Sequence, residues 1–292
     1  MNKKVLIIVS LLFILVIFYT FSLIPDNTIN YNYPVNDSKT IYTVDSDNYV
    51  TKTSVYEESN DVRKLLNIMT TNTDYSSLLK SGFYPVIPKN TKVIDWKIDN
   101  DVLKINFSKE LLDITKDKEE QMIESIIYTV LENSEVEKIQ IYVEGNLLKS
   151  LPKSGKVLPN VLTKDYGINK TYDFNSYDNI NKVLVWFVKE VNDEIYYVPV
   201  TKYIDDNRNK VEIIIDVLSS RNLYKDNLMS FVDNLSLSSY NINNKNLTLY
   251  LENNNKIDQI AVNEIINSLF DSLQLNSVKL FVNKELVGVF KS

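Results

Sequence analysis

The chain has 292 residues, 44% hydrophobic and 24% charged, an ordinary globular balance and enough length for about two domains. Its net charge of −6 argues against a nucleic-acid partner, because phosphate binding needs a clustered positive surface. With neither His nor Cys, it lacks the commonest general base, a thiolate nucleophile, disulfides and the ligands of nearly every transition-metal site.

Lys3 and Lys4 precede VLIIVSLLFILVIFYTFSLI, residues 5–24, a run without a charge. Twenty residues at 1.5 Å each span about 30 Å of hydrocarbon. Residues 1–25 therefore read as one uncleaved transmembrane helix, with the N-terminus in the cytoplasm and the rest extracytoplasmic. A cleaved signal peptide would carry an apolar core of about 7–15 residues and a small-x-small site, which only Thr20-Phe21-Ser22 approaches. No Cys is present to carry an N-terminal lipid, so the helix itself must be the anchor. Residues 26–39 are polar and aperiodic and read as a tether.

Two similar segments follow, residues 40–152 and 181–292, separated by the turn-rich stretch 153–180. Tyr49–Thr53 leading to VRKLLNIM (62–69) matches Tyr197–Thr201 leading to NKVEIIIDVL (209–218). IDNDVLKINF (98–107) matches INNKNLTLYL (242–251), ESIIYTVL (124–131) matches NEIINSLF (263–270), and KIQIYVEGNLLKSL (138–151) matches the stretch beginning SVKLFVNKELVGVF (277–290). Val102, Ile105 and Phe107, like Leu247, Leu249 and Leu251, fall in alternating runs that predict half-buried strands. Asn100-Asp101 and Asn243-Asn244 predict tight turns into them, and Val143–Leu147 and Val282–Leu286 predict a second hairpin in each half. Helical spacing marks Val62, Leu65, Leu66 and Met69; Met122, Ile123, Ile126, Ile127 and Val130; and Ile260, Ile265, Ile266 and Leu269. The expected fold is α+β: two tandem small domains, each a twisted, mainly antiparallel sheet with two helices on one face.

Several patterns invite a catalytic reading. Asn106-Phe107-Ser108-Lys109-Glu110 places a polar cluster at the end of a strand. Ser77–Lys80 and Ser150–Lys153 match S-x-x-K, Ser46-Asp47-Asn48 matches S-D-N, and Lys153-Ser154-Gly155 resembles K-T-G, the parts of a penicillin-binding or β-lactamase site. Their order is wrong, and the last lies in the stretch between the halves. There is no G-x-S-x-G and no phosphate-binding glycine loop. Glu57-Glu58 and Glu119-Glu120 read as solvated helix N-termini, not as a hydrolytic acid pair. Asp205-Asp206-Asn207 lacks the Gly and distal Glu of a calcium loop, so Asp206 or Asn207 is expected to cap a helix. Trp96, Trp186 and the strand tyrosines read as core or half-buried sheet residues. No catalytic, cofactor-binding or metal-binding residue is assigned.

The first half resembles the GerM domain, a sporulation and germination module of Gram-positive bacteria. The features that carry this are the helix VRKLLNIM, the lead-in Tyr84–Thr91, the hairpin into Asp101–Leu111, the helix Glu119–Leu131 and the end Val136–Gly145. Asn90 stands where the family usually has Gly. The second half keeps VLVWFV (183–188) and IYYVPVTKYI (195–204) but has Leu251-Glu252-Asn253 in place of Phe107-Ser108-Lys109, as in a diverged second copy. The resemblance implies a non-enzymatic assembly protein in the mother-cell membrane, facing the space around the forespore. It also implies protein partners in the channel complex and kinship with ring-building domains. A ring or homo-oligomer would need an interface that no sequence feature marks. An extracytoplasmic peptidoglycan-binding module, using Tyr196 and Tyr197, is the alternative; a cell-wall hydrolase lacks a coherent acid pair.

Overall fold

The computed structural model describes residues 38–291, apart from 58, 60, 176–177, 192–193, 221–226 and 255. The expected transmembrane helix and tether lie outside the described residues. Among the described residues, no helix is long and apolar enough to cross a membrane.

The first half begins with the hairpin β1 (Ser38–Asp45) and β2 (Val50–Tyr56), then α1 (Val62–Ile68) and the short β3 (Phe83–Tyr84). The hairpin β4 (Val93–Asp99) and β5 (Val102–Phe107) follows, then α2 (Glu119–Glu132), β6 (Lys138–Val143) and β7 (Asn146–Leu147). After β8 (Thr171–Asp173), the second half repeats this order. It has β9 (Ile180–Val191), β10 (Glu194–Asp205), α3 (Lys210–Ser219), β11 (Leu235–Asn243) and β12 (Asn246–Asn253). It ends with α4 (Gln259–Leu273), β13 (Ser277–Val282) and β14 (Glu285–Lys291).

Each half contains two sheets, where the sequence reading expected one. The hairpin sheets have the orders β2-β1-β3 and β8-β10-β9, and the four-stranded sheets β4-β5-β6-β7 and β11-β12-β13-β14. They stay apart because the long helix of each half covers an edge of the hairpin and satisfies its backbone. The Tyr42 N–H of β1 donates to Thr129 Oγ1 of α2 at 2.8 Å, and Asn133 Nδ2 donates to the Thr40 carbonyl at 2.6 Å. In the second half the Trp186 N–H of β9 donates to Ser268 Oγ of α4 at 2.8 Å, and the Leu184 N–H to Ser272 Oγ at 2.7 Å. Where the helix bonds it the edge is closed to another strand, while further along β1 pairs with β3 and Val188 of β9 bridges Met229.

The register identifies the halves as copies. The bulge between Val93 and Asp95 recurs 144 residues on, between Leu237 and Ser239. Trp96 faces Ile105 as Tyr240 faces Leu249, and the parallel pair Val102–Lys138 reappears as Asn246–Ser277. β5 and β6 are parallel and joined through α2, as β12 and β13 are through α4, the crossover that parallel neighbours require. Most other strand pairs are antiparallel. Leu103, Ile105 and Phe107 face the core with strict period two, so Leu103 and not Val102 belongs to the buried set.

Two-residue turns with both central residues left-handed close these hairpins, at Asn100-Asp101 and Glu144-Gly145, and at Asn244-Lys245 and Asn283-Lys284. Such turns match the twist of the strands they join. The turn expected at Asn243-Asn244 is thus one residue later, because Asn243 completes β11. Asn90 is also left-handed at φ 65°, a conformation that Asn, like Gly, adopts at little cost.

Two hydrophobic clusters form the cores. Leu184 and Trp186, on β9 of the second half, belong to the first of them. The stretch between the halves is packed too: Leu158, Leu162 and Ile168 are buried, and β8 adds to β10. Ser38–Ser292 accordingly cluster as one compact unit.

Candidate functional site

The polar cluster after β5 is occupied by structural bonds. Asn106 Oδ1 accepts from the Gly145 N–H at 2.9 Å. Ser108 Oγ accepts from the Lys92 N–H at 3.0 Å, and Glu144 Oε1 accepts from the Lys109 N–H at 3.0 Å. The Ser108 hydroxyl, with Glu110's own backbone N–H, holds the Glu110 carboxyl below its usual range. Phe107 is fully buried.

The second copy keeps this clasp after discarding the Ser-Lys-Glu sequence. Glu144 N–H donates to the Phe107 carbonyl, and Asn283 N–H to the Leu251 carbonyl, both at 2.9 Å. The Asn253 N–H then donates to Asn283 Oδ1 at 3.0 Å, as Lys109 does to Glu144. A carboxylate in one copy and an amide in the other do the same work, which needs only an acceptor oxygen at the turn. Chemistry at a carboxylate would not survive that exchange, whereas a turn clasp does.

The other catalytic-looking patterns are likewise put to structural use. Ser77 Oγ donates to the Asp74 carbonyl, and Asp47 pairs with Lys189. Glu119, expected to be solvated, is buried: its two oxygens accept the N–H groups of Lys153 at 2.8 Å and Ser154 at 2.9 Å. That contact ties the apparent K-T-G segment to the start of α2. The helix cap expected at Asp206 or Asn207 is Asn209, whose Oδ1 accepts from the Val211 N–H. Asp206 instead pairs with the Arg208 guanidinium, which holds its carboxyl below the usual range. Among the described residues, no cluster of three or more metal-ligating side chains forms.

What sequence reasoning missed is a set of buried polar groups where the halves meet. Asp45, on β1, is fully buried and bonds Lys189 Nζ of β9 at 2.7 Å. Its other oxygen accepts from the Asp47 and Tyr49 N–H groups at 2.8 and 3.0 Å. The Tyr196 hydroxyl donates to the same carboxylate at 3.1 Å, and burial beside that charge pushes the phenol up. Asn169, left-handed at φ 47°, bridges the Val50 and Pro199 carbonyls and accepts from the Val50 N–H. Next to it, Lys170 pairs with the buried Glu124, whose carboxyl burial pushes up against the pull of that ammonium.

Between the halves lies an open cleft of about 450 Å³, lined by Tyr42, Glu132, Trp186, Tyr196, Tyr197 and Asp271. Its aromatic residues are engaged: Tyr197 accepts from Asn263, Tyr196 packs edge-on against Phe83, and Trp186 Nε1 donates to Asp271 at 2.7 Å. Glu132 is held by Lys52 and Lys164, which keep its carboxyl low against the effect of burial. Of the two candidates for stacking on a glycan, Tyr196 joins the halves through Asp45 and Phe83, and Tyr197 packs against the first core.

Residues 33–149 match the family model described as "Germane: Sporulation and spore germination". The spore germination protein GerM of Bacillus subtilis (strain 168) is 28% identical over 171 residues, which is 57% of this chain and 46% of that protein. The alignment thus spans less than half of the relative's length. The solved tandem GerMN domains of the sporulation protein GerM from Bacillus subtilis superpose with a TM-score of 0.79 at 25% identity, covering 85% of this chain and 91% of that one.

Proposed function

We propose that this chain, which belongs to the GerM domain family, is a membrane-anchored, non-enzymatic assembly protein of sporulation and spore germination. It docks, in this reading, with the channel complex between mother cell and forespore. The observation that carries the proposal is the likeness to tandem GerMN domains over 85% of the chain, through both halves and not the first alone. The turn and strand contacts made by Asn106 Oδ1, Ser108 Oγ and the Lys109 N–H support a structural use of that motif. The uncharged run at residues 5–24, long enough to span a bilayer and preceded by Lys3 and Lys4, supports an anchor with both halves outside the cytoplasm in this reading.

The test is affinity capture of the full-length chain from sporulating cells of its own host. Recovery of channel-complex proteins is the expected result. Recovery of cell-wall glycan without any such protein would overturn the proposal in favour of peptidoglycan binding.

A further inference from the structure

Glu120 and Glu124 stand four residues apart on one face of α2, the face that meets the stretch connecting the halves. Lys170 reaches them from that stretch. Its Nζ lies 2.5 Å from Glu124 Oε1 and 3.3 Å from Glu120 Oε2. The side chains of Lys170 and Glu124 are almost closed to solvent, at 6% and 4% exposure. The Tyr166 ring covers Nζ at 3.9 Å. Gly167, left-handed at φ 84°, sets the place of a missing Cβ only 3.1 Å from Lys170 Cγ, which confines the stem of the side chain.

The two carboxyls are set toward opposite charge states. Burial pushes Glu124 up toward the neutral acid, although Lys170 pulls the other way. Burial acts against the charge on Glu120 as well, but Lys156 and Lys170 outweigh it and hold that carboxyl below its usual range. An amine attacks a neutral carboxylic acid and not a carboxylate, and it must first lose its own proton to a base. Lys170 Nζ has both partners in reach, and its contact with Oε1 puts it close to the roughly 3–3.5 Å from Cδ of a near-attack pair. A buried ion pair also carries the cost of two desolvated charges. Conversion to an amide removes both from the interior, a gain that free acid and amine in water do not have.

We propose that Lys170 and Glu124 are joined by an intramolecular isopeptide bond, formed by the folded chain itself with Glu120 as the base. Glu120 takes a proton from the Lys170 ammonium, and the neutral Nζ attacks Cδ of protonated Glu124. Oε2, which accepts from the Asn169 N–H at 2.9 Å, carries the charge that develops and remains as the amide oxygen. The Cδ–Oε1 bond breaks, the Glu124 hydroxyl leaves as water with one hydrogen from Nζ, and Glu120 releases its proton to solvent. The bond links residues 46 apart and fastens α2 of the first half to the residue that precedes β8, a strand of the second half's sheet. The other buried pair, Asp45 with Lys189, has a different setting. Three donors besides the lysine surround its carboxyl, which suits an ion pair, whereas Glu124 has one. The isopeptide bond stands independently of the sporulation reading.

Intact mass spectrometry of the full-length chain, purified in detergent and denatured, tests the bond. The chain is expected to be lighter than its sequence by one water, and K170R, which forms no amide, to have its full sequence mass. After trypsin, residues 119–138 and 165–182 should appear as one branched peptide, uncut after Lys170. E120Q keeps the reacting pair and lacks the base, so most of that variant should retain the full mass. Circular dichroism checks that each variant is folded. A native chain at full sequence mass, a loss of water that persists in K170R, or absence of the branched peptide overturns the proposal, and complete crosslinking in E120Q overturns the role of Glu120.

Discussion

Glu264 lies inside the second core, on α4, and has no ion-pair partner among the described residues. It is fully buried; the Phe231 N–H donates to Oε2 at 2.8 Å, while Oε1 has no partner. Burial pushes its carboxyl from 4.5 to about 8, and the nearby Asp258 acts in the same direction. Between those values the folded chain holds a proton that the unfolded chain has lost. Stability is therefore fullest below about pH 4.5, falls as pH rises through about 8, and is flat beyond. At 1.36 kcal/mol per pH unit, the interval from 4.5 to about 8 is worth on the order of 5 kcal/mol. E264Q keeps the shape, stays neutral and removes this loss. Urea unfolding of both proteins from pH 5 to 9, followed by tryptophan fluorescence, isolates the effect, since all other titrating groups cancel in the difference. The variant's advantage should grow by roughly 1 kcal/mol per pH unit up to about pH 8 and then level off. Parallel stability curves for the two proteins across that range would refute the reasoning.

The buried pair of Asp45 and Lys189 can be tested by a double-mutant cycle. D45N leaves the buried ammonium with only the partly exposed Asp47 and should cost up to about 3 kcal/mol, and D45N/K189M should recover much of that, both measured by chemical unfolding. T129A and S268A each remove the acceptor of a buried strand N–H and should cost about 1–3 kcal/mol, with faster amide exchange at Tyr42 and Trp186 respectively. The turn clasps are exposed, so E144A and N283A should each shift thermal unfolding by the equivalent of about 1 kcal/mol or less.

Local pattern carried much of the fold. Ile105 and Phe107, and Leu247, Leu249 and Leu251, alternate because one face of each strand lies in the core, and that period is visible without coordinates, although in the first strand the buried set begins at Leu103 and not, as the pattern suggests, at Val102. The left-handed turns were readable at Asn100-Asp101, where both residues favour the conformation, and slipped by one at Asn244-Lys245 within a run of asparagines. The separation into two sheets per half was not readable. It depends on Thr129 and Ser268 reaching the backbone of strands more than 80 residues earlier. A hydroxyl on a helix face gives no local sign of that use. The burial of Glu119, Glu124, Asp45 and Lys189 was hidden for the same reason: charged residues are normally solvated, and their partners are distant in sequence. The Asn106–Glu110 cluster was resolved by comparing copies, since the clasp to the turn residue Glu144 or Asn283 recurs while Ser108-Lys109-Glu110 does not.

Those distant partners also change how two modules in one chain should act. Separate domains on a flexible linker bind two sites with an effective concentration set by linker length. Here the connecting stretch is fastened at Glu119 and Glu124, and Asn169 bridges carbonyls from both halves. Asp45 and Lys189 form an ion pair across the same junction, and Trp186 lies in the core of the other half. Independent swinging would expose a charge that is now buried and open a hydrophobic cluster, each costing several kcal/mol. The pair therefore presents its surfaces at a fixed spacing. A partner whose sites match that spacing meets little ordering cost, while one that does not match gains nothing from the second copy. Loosening the junction with D45N should then weaken a two-site partner more than a one-site partner, a difference that a freely jointed pair would not show.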